Sequence, residues 1–130
     1  MYSVMKEIVV SSMAPKPIGP YSQGVVSGNY IFLSGQVGRK HDATELEDGV
    51  VKQTRQTILN IKAVLAEKNL TLDNVVKTTV FLADMNDFAE MNKMYAEFFD
   101  EDKAPARSTV QVAKLPLDAD VEIEVMASLD

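Results

Sequence analysis

The first forty residues alternate short apolar stretches with turn-forming segments, a pattern typical of β-strands. The run "EIVV" at 7–10 is rich in β-branched residues, and three prolines within 11–20 remove backbone donors and indicate an extended loop. Segments 21–26 and 30–38 flank residues 27–29, where Gly and Asn favour a tight hairpin turn. Three strands are therefore predicted before residue 40.

Helical periodicity occurs in two later stretches. Between residues 50 and 65, apolar and threonine side chains recur at helical spacing, and Asp48 is placed to cap the first turn. A second helix is predicted after residue 84, where Asp87 and Glu90 have the spacing of a capping box. Its apolar face would comprise Phe88, Met91, Tyr95, Phe98 and Phe99.

The remaining strands complete a single sheet. Residues 74–84 are β-branched or aromatic on both faces, as in a strand that is covered on two sides. Residues 108–113 and 121–127 are predicted to form a strand pair, joined around Pro116, which interrupts the ladder. The order β-β-β-α-β-α-β-β predicts an α+β fold with one mixed six-stranded sheet and two helices on one face. No linker or repeat divides residues 1–130 into further domains.

The face of this sheet away from the helices also carries large apolar side chains. Two strands are apolar on both sides of their alternation: Ile31, Leu33 and Val37 against Tyr30 and Phe32, and Val76, Val80 and Leu82 against Val75 and Phe81. A chain of 130 residues has no third layer to cover that face. We therefore expect a homo-oligomer that buries it against another copy.

The charge balance argues against nucleic acid and membranes as partners. Thirteen Lys and Arg against nineteen Asp and Glu give a net charge of −6, which repels phosphate backbones and anionic membrane surfaces. Residues 1–17 lack the apolar core of a signal peptide, and no apolar run approaches the roughly 18 residues of a membrane span. A soluble, cytoplasmic protein is expected.

Most cofactor-dependent and nucleophilic chemistries lack their usual residues. His41, the only histidine, lies in a polar loop and is interpreted as a solvated side chain. Without cysteine or a second histidine, the chain has no transition-metal cluster of the usual spacing, no thiolate nucleophile and no Ser-His-Asp triad. No Walker A loop or dinucleotide fingerprint occurs. We therefore expect neither a metal nor an organic cofactor.

Charged residues in the predicted strands are the first remaining candidates. Glu122 and Glu124 share one face of their strand, and a solvated strand face would explain both. Arg107 stands at the start of its strand, where a planar guanidinium can donate two parallel hydrogen bonds to a carboxylate. A salt bridge to a neighbouring glutamate is the alternative interpretation of this arginine.

Two uncharged polar residues complete the candidates. Asn92 falls on the apolar face of the second helix, where its amide could bond either to a strand or to a ligand. Tyr21, within "GPYSQG", could be a packed ring or a phenol facing a cleft.

Six segments that span nearly the whole chain carry a family resemblance: "IGPYSQG" (18–24), "LSGQVG" (33–38), "VVKTTVFLADMNDF" (75–88), "MNKMYAEFF" (91–99), "PARSTVQVAKLP" (105–116) and "VEIEVMA" (121–127). Together and in this order they resemble the RidA family, also called YjgF-like proteins or reactive intermediate deaminases. The resemblance implies a chorismate-mutase-like fold and a homotrimer with an active site between subunits. It also implies cofactor-free hydrolysis of 2-imino or enamine acids, such as 2-iminobutyrate and 2-iminopropionate, to 2-oxo acids and ammonia.

The resemblance further implies a role for individual residues. Arg107 is expected to hold the substrate carboxylate, Glu124 to activate water and Tyr21 to take part in catalysis. Further substrate-binding positions are Ser34, Gly35, Asn92 and Thr109. Thr109 stands where the family often has cysteine, so a thiol role does not carry over and its backbone N–H is expected to act. Glu122 matches no site position and is left on the solvated strand face.

Two other functions stay open at this point. A non-catalytic protein could bind small 2-oxo acids in the same cleft, since an arginine binds a stable carboxylate as readily as a reactive one. Some RidA relatives are described as endoribonucleases or translation inhibitors. The acidic charge balance and the lack of a basic stripe with stacking aromatics argue against nucleic acid binding.

Overall fold

Six strands and two helices make up the fold in the computed structural model, which describes residues 5–130; the first four residues of the predicted domain lie outside the described part. The strands are β1 (Glu7–Val9), β2 (Gly24–Ser27), β3 (Tyr30–Val37), β4 (Val75–Leu82), β5 (Ala106–Gln111) and β6 (Val121–Ser128). The helices are α1 (Gly49–Ala66) and α2 (Phe88–Tyr95). Within residues 5–130, no helix has both the length and the apolar character needed to cross a bilayer.

The strands form one mixed sheet in the order β1-β2-β3-β6-β4-β5, which confirms the predicted α+β fold class. All neighbours are antiparallel except β4 and β5, which run parallel. The predicted pairing of the last two strands with each other is wrong, because β6 lies between β3 and β4. Helix α2 connects β4 to β5 and provides the crossover that parallel neighbours require, which leaves β5 at the edge of the sheet.

Both helices pack on one face of the sheet, as predicted. Ile58, Ile61 and Leu65 of α1 are fully buried, and they share the core with Val80 of β4 and Ile123 of β6. Helix α2 adds the buried Met91 and Tyr95. The cap predictions were wrong in detail: neither the Asp48 nor the Asp87 side chain makes a capping hydrogen bond. A short 3-10 turn at Met85–Asp87 precedes α2 instead, and the Asp84 side chain accepts a bond from the N–H of Asn86.

A β-bulge changes the side-chain alternation predicted for β3. Leu33 lies opposite Val125 of β6, and Gln36 lies opposite Ile123. Two residues of β3, at 34 and 35, therefore face one residue of β6 at 124. The bulge places Gln36 on the buried face and moves Val37 to the other face, contrary to the prediction.

A second irregularity interrupts β4. The register of β4 against β6 shifts between Val75 and Lys77. Val75 is buried and Val76 is 43% exposed, so the predicted grouping of Val76 with Val80 and Leu82 is wrong. Binary patterning carries no signal for an inserted residue, which is why both bulges were missed.

The face of the sheet opposite the helices is uncovered in a single chain. Phe32 of β3, Val76 of β4 and Val110 of β5 are exposed there, as is Tyr30 at the start of β3. Met126 of β6 pairs with Phe32 and continues the same surface toward the centre of the sheet. We refer to this surface as the open face.

Candidate active site

A cavity of about 510 Å³ lies at one end of the open face. The bulge in β3 and the strand β6 form its floor, and two proline-containing loops form its walls. Fourteen residues line it: Pro15, Lys16, Ile18, Tyr21, Gln23, Ser34, Gly35, Gln36, Val37, Arg39, Pro116, Leu117, Glu122 and Glu124. Four of the predicted site residues are among them, namely Tyr21, Ser34, Gly35 and Glu124.

The buried side chain of Gln23 holds one wall in place. Its Nε2 donates to the carbonyls of Ser11, Ala14 and Pro15 at 2.9–3.2 Å, and its Oε1 accepts from the N–H of Ser11 at 2.6 Å. A loop with three prolines has few donors for bonds of its own, so the Gln23 amide supplies bonds that a strand ladder would otherwise make. Gln23 thereby fixes the loop segment that carries Pro15 and Lys16 against the cavity.

Tyr21 extends from the same loop into the cavity wall. Its hydroxyl accepts a hydrogen bond from the N–H of Ile18 at 3.4 Å, and half of its surface is exposed. The phenol thus faces the cavity instead of packing in the core. Of the two interpretations left open from the sequence, the structure supports the phenol facing a cleft.

The bulge in β3 brings backbone to the floor of the cavity. The Ser34 hydroxyl donates a hydrogen bond to the carbonyl of Ser22 at 2.5 Å, which links β3 to the segment that precedes β2. A Cβ added at Gly35 would lie 2.7 Å from Cδ of Glu122, closer than side-chain carbons approach each other. The absence of a side chain at residue 35 is therefore what allows the Glu122 carboxyl to lie over the bulge.

Glu122 and Glu124 both line the cavity, but their environments differ. Glu122 is half-buried beside Gly35, whereas Glu124 is exposed. Burial raises the pKa of Glu122 above its ordinary value, and the negative charge of Glu124 raises it further. The prediction that Glu122 belongs to a solvated strand face is wrong, because the cavity wall and the bulge cover it.

The other three predicted site residues lie elsewhere. Arg107 and Thr109 are half-buried on β5, opposite Thr78 and Val80 of β4, and therefore on the helix side of the sheet. Asn92 is half-buried on the neighbouring helix α2. We refer to Asn92, Arg107 and Thr109 as the edge cluster.

Aromatic rings hold the arginine of the edge cluster. The Arg107 Cζ lies 4.7 Å from the ring centroid of Tyr95 and 5.6 Å from that of Phe88, both on α2. The Tyr95 hydroxyl is 2.8 Å from the hydroxyl of Thr78. Burial raises the pKa of Tyr95, and this outweighs the lowering effects of that hydrogen bond and of the Arg107 charge. Asn92 lies about one helical turn from each ring, on the same face of α2.

Within one chain, the cavity and the edge cluster cannot form one site. Glu122 and Glu124 project from the open face of β6, whereas Arg107 projects from the helix side of β5, with β4 between them. In residues 5–130 the only ion pair joins Lys68 to Glu7, so the alternative of an intrachain salt bridge from Arg107 to a glutamate is wrong. The guanidinium of Arg107 contacts aromatic rings, and its N–H groups can donate hydrogen bonds to a carboxylate.

Sequence reasoning missed Gln23 and Arg39, which shape the cavity, and named Glu122 only to leave it on a solvated strand face. Period-2 alternation places Glu122 and Glu124 on one face and cannot tell which of them is covered. Gln23 lies in the "IGPYSQG" segment, but its role depends on a loop that precedes it by about ten residues.

His41 is exposed, as predicted. Among the described residues, no three His, Asp or Glu side chains lie together as a metal site would require.

Comparisons with known sequences agree on a family. A family model described as Endoribonuclease L-PSP matches residues 11–129. A RutC family protein of Pyrococcus horikoshii is 50% identical over 124 residues, which cover 95% of this chain and 98% of the relative. The 2-iminobutanoate/2-iminopropanoate deaminase of Escherichia coli is 45% identical over 125 residues, which cover 95% and 98% of the two chains.

Solved structures show the same similarity in three dimensions. Escherichia coli TdcF with bound serine matches with a TM-score of 0.88 at 43% identity, covering 94% of this chain and 98% of TdcF. Yeast Mmf1 matches with a TM-score of 0.90 at 41% identity, covering 95% and 98%. Since the family model spans nearly the whole chain and relatives agree with it in sequence and in fold, the chain belongs to the RidA (YjgF-like) family.

Proposed function

We propose that the chain hydrolyses 2-imino acids, such as 2-iminobutanoate and 2-iminopropanoate, to 2-oxo acids and ammonia. The observation that carries the proposal is the half-buried Glu122 carboxyl over the Gly35 bulge of the cavity. The 45% identity to a 2-iminobutanoate/2-iminopropanoate deaminase supports the substrate class. We also propose a cytoplasmic location, as expected from the sequence.

Glu122, in place of the expected Glu124, is the proton acceptor in this proposal. A carboxyl whose pKa is raised is a better base than an exposed one of ordinary pKa, because its ionised form gains driving force for accepting a proton. Glu124 is exposed and acts on Glu122 through its charge. Tyr21, which lines the same cavity, is assigned to bond to the substrate or to the water that attacks it.

The substrate carboxylate is assigned to Arg107 of a second copy of the chain. The edge cluster and the cavity of one chain face different sides of the sheet, so a complete site requires two copies. The uncovered apolar open face gives these copies a reason to associate. The homotrimer implied by the family resemblance fits this arrangement, with each cavity completed by the Asn92, Arg107 and Thr109 of a neighbour.

The chemistry then needs no metal and no nucleophilic side chain. A protonated imine is already an electrophile, so a water oxygen adds to its carbon while Glu122 takes a proton from that water. Glu122 returns the proton to the nitrogen of the resulting carbinolamine. The C–N bond breaks with its electron pair leaving on ammonia, while the Glu122 carboxylate takes the hydroxyl proton, so that the hydroxyl oxygen becomes the carbonyl of the 2-oxo acid. Backbone N–H groups of Gly35 and the neighbour's Thr109 are assigned to substrate oxygens, with Ser34 holding the bulge in place.

Non-catalytic binding of small carboxylic acids is the second candidate. The solved relative with bound serine favours it, since that protein holds a small carboxylate-bearing ligand. The family description as an endoribonuclease is a weaker candidate for this chain, because its net charge of −6 opposes RNA binding.

Two glutamate variants test the proposal. Glu122→Gln keeps size and hydrogen bonding but removes the proton acceptor, so hydrolysis of enzymatically generated 2-iminobutanoate should fall by about 10²-fold or more. Calorimetric affinity for 2-oxobutanoate should survive in the same variant. Glu124→Gln is the matched control, with an expected loss of less than about tenfold. Equal loss of binding and turnover in Glu122→Gln would favour a binding role, and a deeper loss in Glu124→Gln would return the catalytic role to that residue.

A further inference from the structure

Arg39 lies in the cavity wall with its backbone and side chain both anchored. It follows β3 and pairs with Leu46 in an isolated β-bridge. Its carbonyl accepts a hydrogen bond from Nδ2 of the buried Asn60 at 2.9 Å, and its Nη1 donates to the carbonyl of Ala43 at 2.6 Å. Arg39 is half-buried, and the bond to Ala43 orients its guanidinium, which lowers the entropic cost of using it for binding.

This guanidinium has no anionic partner in the described part of the chain. The single ion pair in residues 5–130 is remote from it and joins Lys68 to Glu7. Four of its five N–H donors make no hydrogen bond to any described residue. Lys16, in the wall of the same cavity, also lacks an ion-pair partner within residues 5–130.

The cavity has more cationic groups than a four-carbon imino acid needs. In a single chain, before a neighbour's Arg107 completes the site, its volume is about 510 Å³. The proposed chemistry uses Glu122 and, for the first carboxylate, Arg107 of a neighbouring copy. Arg39 and Lys16 remain as two cationic groups in the same cavity that the reaction does not use.

We infer that Arg39, aided by Lys16, gives the cavity a preference for 2-oxo and 2-imino acids that carry a second carboxylate on the side chain. The inference rests on the proposed function, because the first carboxylate and the reacting carbon must already be placed by Arg107 and Glu122. A guanidinium fixed by one bond to Ala43 can direct further N–H groups to the distal carboxylate. A monocarboxylate of equal length leaves those donors to water.

A matched pair of stable ligands tests this preference. 2-Oxoglutarate and 2-oxopentanoate have equal carbon chains and differ in the terminal carboxylate. Calorimetry on the wild-type protein should show 2-oxoglutarate binding about tenfold or more tightly, the scale of charge-assisted hydrogen bonds. Arg39→Met should bring the affinity ratio close to one, and Arg39→Lys should keep part of it because a point charge remains.

Lys40→Met is the control variant, since it removes a neighbouring exposed cation that does not line the cavity. It should keep the wild-type affinity ratio, which separates a local contact from a change in net charge. A wild-type ratio near one, with imine hydrolysis intact, would overturn this inference alone. Absence of both imine turnover and binding of either acid would overturn the proposed function and this inference together. Loss of the native oligomer in Arg39→Met would also overturn the inference. It would show that Arg39 of the wild-type protein binds a neighbouring copy and not a ligand.

Discussion

At the scale of single residues, the cavity contains a carboxyl that the fold does not favour in its charged form. Glu122 is half-buried, and the exposed Glu124 lies on the same strand face. Both burial and that neighbouring charge disfavour ionisation of Glu122. Such a residue lowers stability at neutral pH while improving its capacity as a base, a conflict often seen at functional sites.

Glu122→Gln should therefore raise the melting temperature at neutral pH. The folded-state pKa of Glu122 is raised above its ordinary value of 4.5, so its stabilising contribution is present below that value and is lost as pH rises through the raised pKa. Glutamine is uncharged at every pH, so the variant lacks this loss of stability. The difference in melting temperature between variant and wild type should be positive at pH 8 and should shrink toward zero near pH 4. Glu97→Gln, an exposed carboxyl beyond α2, controls for the loss of one negative charge. A difference that does not vary with pH would contradict the assigned environment of Glu122.

At the scale of elements, the sequence pattern predicted the strands and helices well and their irregularities poorly. Alternation along 30–33 and helical spacing along 50–65 survive in β3 and α1 because burial of one face dictates both patterns. The bulge at Ser34 and Gly35 leaves no trace in that alternation, yet it forms the cavity floor. The strand neighbours of β6 were also missed, because pairing between distant segments has no local signal.

Helix α2 determines the position of Arg107, and a tyrosine pair tests this. Tyr95→Leu removes the ring that stacks on the guanidinium, so KM for the imine should rise by several-fold, the scale of a cation–π contact. Tyr95→Phe keeps the ring but loses the hydroxyl contact with Thr78, which should lower the free energy of unfolding by about 1 kcal/mol. Steady-state kinetics and denaturant unfolding of both variants separate the two effects. A rise in KM that is equal in both variants would show that the ring does not position Arg107.

At the scale of the whole molecule, the residues proposed for catalysis lie in two places, which reasoning about one chain could not bring together. Arg107 was identified from its strand position and Glu124 from the family resemblance, and nothing in the sequence indicates on which side of the sheet each would project. The structure places Arg107 on the helix side of β5 and Glu122 on the open face of β6. A chain with separated half-sites and an uncovered apolar face is expected to function as an oligomer.

Complementation between inactive variants tests this expectation. Arg107→Ala should be inactive because it loses charge-assisted bonds worth about 2–4 kcal/mol, and Glu122→Gln because it loses the base. In trimers assembled from equal amounts of the two chains, about one quarter of the sites should combine an intact Glu122 with an intact Arg107 from the neighbour, and activity should return to about that fraction of wild type. The control replaces Glu122→Gln by a chain that carries both substitutions, which can supply no intact Arg107 and should restore nothing. Light scattering should give about three times the chain mass of 14.3 kDa for every mixture. Mixed trimers that form but stay inactive would mean that each chain builds its site alone, and the assignment of Arg107 to a neighbour's cavity would be wrong.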